Sequence, residues 1–288
     1  MKVRPVRLLL AVVVLTLAAP AVAEDAPRVP PGRDPGGVAV ALIGSGLNYT
    51  RPELASRLAR DGEGELVGYD FVTNDVRPFQ RLSGELQSSA ACSSGTGLAA
   101  LMLREAPDAR IVPIRVDGAP AMQWGRAVAF TAETPARIAV LIASNPERAD
   151  WEPFGRAAAH FAEILFIAAA GMQGADLDRE PRFPAALGLA NVLVVTATDA
   201  HGGLVPGANR GARTVDVAVP APAADGDASS CAAARVAALA ARLVALEPAL
   251  KGAQLKARLV ALASPFAGPL SPTRAGWIAA PNLAARGP

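Results

Sequence analysis

Six short, nearly unbroken apolar runs alternate with helical patterns along this chain, and that alternation restricts the fold more than any other feature. The runs are 38–43 (VAVALI), 111–116 (IVPIRV), 138–143 (IAVLIA), 164–171 (ILFIAAAG), 191–198 (NVLVVTAT) and 214–219 (TVDVAV). A strand with water on one face alternates apolar and polar residues; a run apolar on both faces is covered on both. Between the runs, helices are predicted at 51–60, 95–104, 121–131 and 153–163, with 230–247 and 252–263 closing the chain. The first has Pro52 in its opening turn and Leu54 and Leu58 four apart, a helix start with one apolar stripe. Strand, helix, strand in series predicts a three-layer α/β domain: a mostly parallel central sheet with helices on both faces and right-handed crossovers. One domain spanning 38–285 is expected. Its connections at 144–152, 172–185 and 199–213 follow strand ends, where open α/β sheets build their sites.

The first 37 residues read differently. Lys2, Arg4 and Arg7 precede an apolar run from Leu8 to Ala18, and Ala21-Val22-Ala23 stands before Glu24-Asp25. A basic start, a short apolar centre and an A-x-A site predict a secretory signal over 1–23, cleaved after Ala23. The run falls short of the roughly 20 residues that span a bilayer. No later segment is read as long and apolar enough to do so, so no membrane anchor is expected after cleavage. The product is expected to be secreted or periplasmic. Residues 24–37 (EDAPRVPPGRDPGG) read as a Pro/Gly-rich linker.

Composition removes several classes of function. Half the chain is hydrophobic (51%) and only 19% is charged, which excludes a disordered chain. Without Lys2, Arg4 and Arg7 the balance is 25 basic against 26 acidic residues. A near-neutral chain with 5% aromatics has no nucleic-acid footprint. The two histidines, His160 and His201, are not at ligand spacing with each other or with a cysteine. No metal and no cofactor are therefore predicted. Cys92 and Cys231 are an even pair, and export would permit a disulfide between them.

Seven segments, in order, resemble the motifs of one known family. VAVALIGSGLNYTRPEL (38–54) resembles the strand and turn bearing the catalytic Asp, and GYDFV (68–72) its continuation. SSGTGLAALMLREAPDARIVPIRV (93–116) resembles the H-G-T-x-V-A segment with its helix and next strand. FIAAAGMQG (166–174) resembles A-A-G-N-x-G, and FPAALGLANVLVVTATDAHGGL (183–204) the Y-P-A…A-T-D segment. Asn209-Arg210-Gly211 with VDVAVPA (215–221), and ASSCAAARVAALAARLVALEPAL (228–250), resemble the last two. Together these segments resemble the subtilisin-like serine peptidases (subtilases); the resemblance spans nearly all of the chain after residue 37 and implies a subtilisin-like fold.

It also implies which positions would do chemistry. The Asp position is Gly44, the His position Ser94, the nucleophile position Ser230, and the position of the oxyanion-stabilising Asn is Met172. One of four groups remains. A serine hydroxyl needs a base within reach, and neither Ser94 nor Gly44 supplies or supports one. A thioether donates no hydrogen bond; in an active subtilisin, losing that Asn costs about 10²–10³ in turnover. Asp70 reads as structural, because active relatives share it. Asp225 and Asp227 read as solvated loop carboxylates, His201 as a turn residue, and His160 as lying at the wrong end of the sheet. In such a fold the His and Ser positions converge, which makes Cys92 and Cys231 neighbours and a disulfide across the former site an expectation. Only about 14 residues separate Glu24 from the first strand, too few for the folding pro-domain usual in exported relatives.

The expected function is that of an exported, catalytically inactive domain that binds a peptide or protein partner along the old substrate groove. Extended segments 115–120 and 142–146 would be its edges. The alternative is a serine-type endopeptidase with an unconventional mechanism using Ser230. A third reading is a ligand site unrelated to the old one.

Overall fold

The computed structural model describes residues 26–80, 92, 94–221, 227–267 and 271–279. The export signal read at 1–23 and the carboxylate of Asp225 lie outside the described residues.

Seven strands form one sheet: β1 (Ala39–Gly44), β2 (Tyr69–Asp70), β3 (Arg110–Arg115), β4 (Ile138–Leu141), β5 (Leu165–Ala169), β6 (Val192–Thr198) and β7 (Val217–Pro220). Their order is β2-β3-β1-β4-β5-β6-β7, and every pairing is parallel. The six predicted runs are β1 and β3 to β7. The two-residue β2 was not foreseen as a strand, being too short for any periodicity to register.

The helices are α1 (Pro52–Ala55), α2 (Gly95–Glu105), α3 (Met122–Glu133), α4 (Arg148–His160), α5 (Ala228–Leu246) and α6 (Gly252–Val260). They split between the two faces, and so does every strand's side-chain set. Val40, Leu42, Ile138, Val140, Ile167 and Val195 pack with α2, α5 and α6. Ala41, Ile43, Ala139, Leu141, Phe166 and Ala168 pack with α3 and α4. This period-two division into two buried faces is why the strands read as continuously apolar. On the second face Trp151, Phe154 and Phe166 form an edge-to-face chain at 5.7 and 5.2 Å, a packing block whose truncation at Phe154 would cost about 3–5 kcal/mol.

Three elements differ from the sequence reading, each for a local reason. The helix predicted at 51–60 stops at Ala55, because Arg57 and Ala59 turn to bond both sides of Ile111 (2.8 Å each). The helix predicted from Pro153 begins five residues earlier: Asn145 Oδ1 accepts from Glu147 N (2.9 Å) and Trp151 Nε1 (3.1 Å), organising a first turn ahead of the proline. Finally, Ala228–Leu246 is long and apolar enough to cross a membrane by length and composition, which corrects the expectation that no later segment is. Its position accounts for its composition. Most of it is buried, and its alanines let it lie close against β4, β5 and β6.

Residues 26–37 form neither helix nor strand, yet the protein holds them. Pro27 O accepts from the Tyr49 hydroxyl (2.7 Å) and Pro30 O from Arg60 Nη2 (2.6 Å). Asp34 accepts from the backbone of Gly36 (2.8 Å) and Arg60 (2.9 Å) and pairs with Arg110. Burial alone would raise the Asp34 carboxyl. The two backbone N–H groups and the Arg110 guanidinium outweigh it and hold the group below its usual range.

Candidate functional site

The carboxyl end of β1, the N-terminus of α2, the end of β5 and the N-terminus of α5 meet at one end of the sheet. Direct bonds between neighbours of the four positions show this. Gly95 N, next to Ser94, donates to Ser45 Oγ, next to Gly44 (3.0 Å). Gly171 N, next to Met172, donates to Ser229 Oγ, next to Ser230 (2.9 Å). Cys92 and Cys231 are disulfide-bonded with Cα atoms 5.0 Å apart, tying the N-termini of α2 and α5 together. Gly44, Ser94, Met172, Ser230 and both cysteines therefore belong to one constellation, β1 lying at the crossover where strand order reverses.

Gly44, Ser94 and Ser230 are each engaged by their surroundings. At Gly44 a Cβ would lie 2.9 Å from Ile142 Cβ, so a side chain there has no room without movement. Two residues on, Gly46 turns at φ +81°, and a Cβ there would meet Pro78 O at 2.6 Å. That left-handed turn admits glycine readily and little else. Ser94 is the N-cap of α2, its Oγ accepting from Gly97 N (3.0 Å). An N-cap hydroxyl satisfies one of the orphan donors of a helix start. The space beneath is a closed polar network. Gln80 Nε2 donates to Ser45 Oγ (3.1 Å), Gln80 Oε1 accepts from Thr96 N (2.9 Å) and from the Thr96 hydroxyl, and Thr96 Oγ1 accepts from Asn48 N (2.8 Å).

Ser230 is only 4% exposed and sits in the first turn of α5. Asp227, the N-cap, grips it at two points. One carboxylate oxygen accepts from Ser230 N (3.0 Å) and the other from the Ser230 hydroxyl (2.5 Å). This corrects the reading of Asp227 as a solvated loop carboxylate. The Asp-x-x-Ser spacing is the signal that would have found it, since it matches an N-cap and its third helical residue. Two consequences follow for chemistry. The Ser230 proton is engaged by a carboxylate rather than an imidazole, and a carboxylate is the weaker base. The Ser230 N–H, a backbone donor at a helix start of the sort that stabilises oxyanions, is occupied. With the half-buried Met172 in place of an amide, neither donor of an oxyanion hole is free.

The remaining candidates lie elsewhere. Asp70 is buried, pairs with Arg115 (2.8 Å) and accepts from Val72 N and Thr73 N, which holds a turn. His160 ends α4 before β5, at the opposite end of the sheet, and is exposed. His201 is exposed in a turn, its N–H donating to Asp199 Oδ1 (2.8 Å). Among the described residues no group of three or more His, Cys, Asp or Glu side chains is placed to hold a metal.

Of the two extended edges, 142–146 is partly occupied by the protein itself. Asn145 N donates to Phe183 O (3.1 Å) and Asn145 O accepts from Phe183 N (2.9 Å). Segment 115–120 leaves an exposed rim at Asp117 and Gly118 that runs to Met122, 62% exposed at the start of α3.

Comparison with known proteins agrees with this geometry. Solved structures share the fold, these three among them. One is a lanthipeptide protease (TM-score 0.68, 18% identity, covering 87% of this chain and 88% of that one). Another is a cold-adapted subtilisin-like serine proteinase (0.65, 20%, 87% and 91%), and a third was solved for the assembly of subtilase cytotoxin SubAB (0.67, 19%, 88% and 90%). No curated protein matches the chain. The sequence model of the Subtilase family, peptidase family S8, matches residues 36–277, the whole sheet and both of its helical layers. The chain belongs to the subtilase family.

Proposed function

We propose that this chain is an exported, catalytically inactive subtilisin-like domain that acts by binding a peptide or protein partner. The observation carrying this reading is the double grip of Asp227 on Ser230. It engages both the hydroxyl and the N–H that acyl transfer would need, beside a Gly44 with no room for the orienting carboxylate. Export rests on the signal pattern at 1–23 and is supported by the Cys92–Cys231 bridge, a bond suited to an oxidising compartment. Partner binding rests on the exposed rim at Asp117, Gly118 and Met122, because the 142–146 edge is engaged by Phe183.

A second reading, a serine-type endopeptidase using Ser230, has one observation in its favour. Asp227 is a carboxylate in hydrogen-bond contact with the hydroxyl. Fluorophosphonate labelling of the folded chain from Glu24, beside Ser230→Ala and a casein digest, separates the two. The inactive reading expects neither labelling nor digestion. Labelling that disappears in Ser230→Ala would overturn it, and its loss in Asp227→Asn as well would assign Asp227 as the base.

A further inference from the structure

At the opposite end of the sheet a cleft of about 720 Å³ opens between the C-terminal end of α2, the last turns of α5 and the chain entering β1. Its walls are mostly apolar, built by Val38, Pro107, Ala241, Ala245 and Leu246, with Leu246 57% exposed at the rim. One charged side chain in this wall is incompletely partnered. Arg242 Nη1 donates to Glu105 O (2.6 Å), the C-terminal carbonyl of α2. Its Nε and Nη2 are shut off from bulk water and make no hydrogen bond.

That unpartnered edge has a specific chemistry. Nε–H and Nη2–H lie side by side and parallel, the fork that receives both oxygens of a carboxylate. The nearest carboxylate does not fill it, because Glu105 is taken by Arg235 (2.7 Å). Of the charged side chains lining the cleft, Arg104 and Arg242 stand against Glu105 and Asp108, and Arg235 pairs with Glu105 from outside the lining. Burial pulls the Arg242 guanidinium below its ordinary value, against the pull of Glu105. An uncompensated buried charge is costly, and a bound anion would relieve it.

We infer that this cleft binds a small aliphatic monocarboxylate, its carboxylate on the Nε/Nη2 edge of Arg242 and its chain along Ala241, Ala245 and Leu246. Because Nε and Nη2 are closed off in this structure, binding requires the Arg242 head group to turn toward the cleft, exchanging its bond to Glu105 O for the two bonds to the ligand carboxylate. One cation edge between apolar walls suits a monoanion with an apolar tail better than a phosphate. A peptide terminus is disfavoured because the wall offers it little backbone to pair with: Ala106 N, Ala109 N and Arg110 N are bonded to Met102 O, Ala106 O and Val38 O. The site lies away from Ser230, so its test stands apart from the proposal above.

Calorimetric titration of the full chain with octanoate tests the inference, beside octanol, inorganic phosphate and an acetylated peptide ending in leucine. Octanoate is expected to bind and to raise the melting temperature, while octanol and phosphate do not. Arg242→Met is expected to weaken octanoate by about tenfold to a hundredfold, the worth of a charge-assisted hydrogen bond. Leu246→Glu, at an exposed position that does not endanger folding, should weaken it through repulsion and lost apolar contact. Failure of octanoate to bind, or affinity unchanged in either folded variant, overturns the inference. Equal affinity for phosphate or for the peptide overturns the assignment to an aliphatic acid.

Discussion

Removing the Cys92–Cys231 bridge should cost this protein more stability than any single surface change. The bond joins residues 139 apart. The loop-closure relation gives about 5 kcal/mol at 25 °C for a loop of that length. Residual structure in the unfolded chain lowers the return, so about 2–5 kcal/mol is expected. Both positions are buried, and the bridge ties the first turn of α5 to the chain entering α2. In a domain of this size each kcal/mol moves the midpoint by about 2–4 °C. A Cys92→Ala/Cys231→Ala double variant should therefore melt roughly 4–20 °C lower. The assay is calorimetry without reductant, with urea unfolding to give the free energy directly. A reductant should shift the wild type towards the variant and leave the variant unmoved. A shift under about 2 °C would refute the reasoning, as would both thiols proving alkylatable in unreduced, denatured protein.

Three further outcomes are expected. Asp227→Ala removes the α5 cap and both acceptors for Ser230, so urea unfolding should show a loss of about 1–3 kcal/mol; a neutral result would mean the grip is absent in solution. Gly44→Asp, which places an aspartate where the family resemblance puts one, should destabilise by about 1–3 kcal/mol through overpacking against the Ile142 Cβ; a Gly44→Asp variant as stable as wild type refutes the steric argument. Asp34, held below its ordinary value near 3.8, contributes stability that is complete above that value and is lost as pH falls through its lower folded value. Asp34→Asn should therefore lose stability at neutral pH and show a flatter acid limb, and parallel acid limbs would contradict it.

Around the positions that the family resemblance assigns to catalysis stand two capped helix starts and a crosslink. Ser94 and Asp227 do for α2 and α5 what N-caps do generally. Ser45, Gln80 and Thr96 close the floor between β1 and α2. The Ser230 hydroxyl and N–H are bonded to Asp227, and Ser45, Gln80 and Thr96 are bonded through one network. Such a site has less to rearrange and more to hold it rigid.

How much of this was legible depended on the range of the interaction. The layer architecture was written locally, because a strand buried on both faces has to be apolar at every position and a helix against it needs one stripe; β3 to β7 each read that way from their own residues. Helix limits were less legible, since Ile111 cut α1 short from more than fifty positions away. The Asp227 grip was local, three residues from Ser230, and its spacing was available. What the spacing lacks is the 2.5 Å contact, which turns a loop carboxylate into a clamp.

The sequence alone determined the alternation that demands a parallel sheet, and the residue types at 44, 94, 172 and 230, since both are properties of single positions and their near neighbours. Only the tertiary structure decided that Ile142 fills the space beside Gly44, that Gln80 bridges Ser45 and Thr96, and that Arg242 keeps an unpaired edge in an apolar cleft. Those facts join residues far apart in the chain at separations of about three ångströms. Hydrogen bonding and close packing change sign over a few tenths of an ångström, a precision that periodicity and composition do not encode.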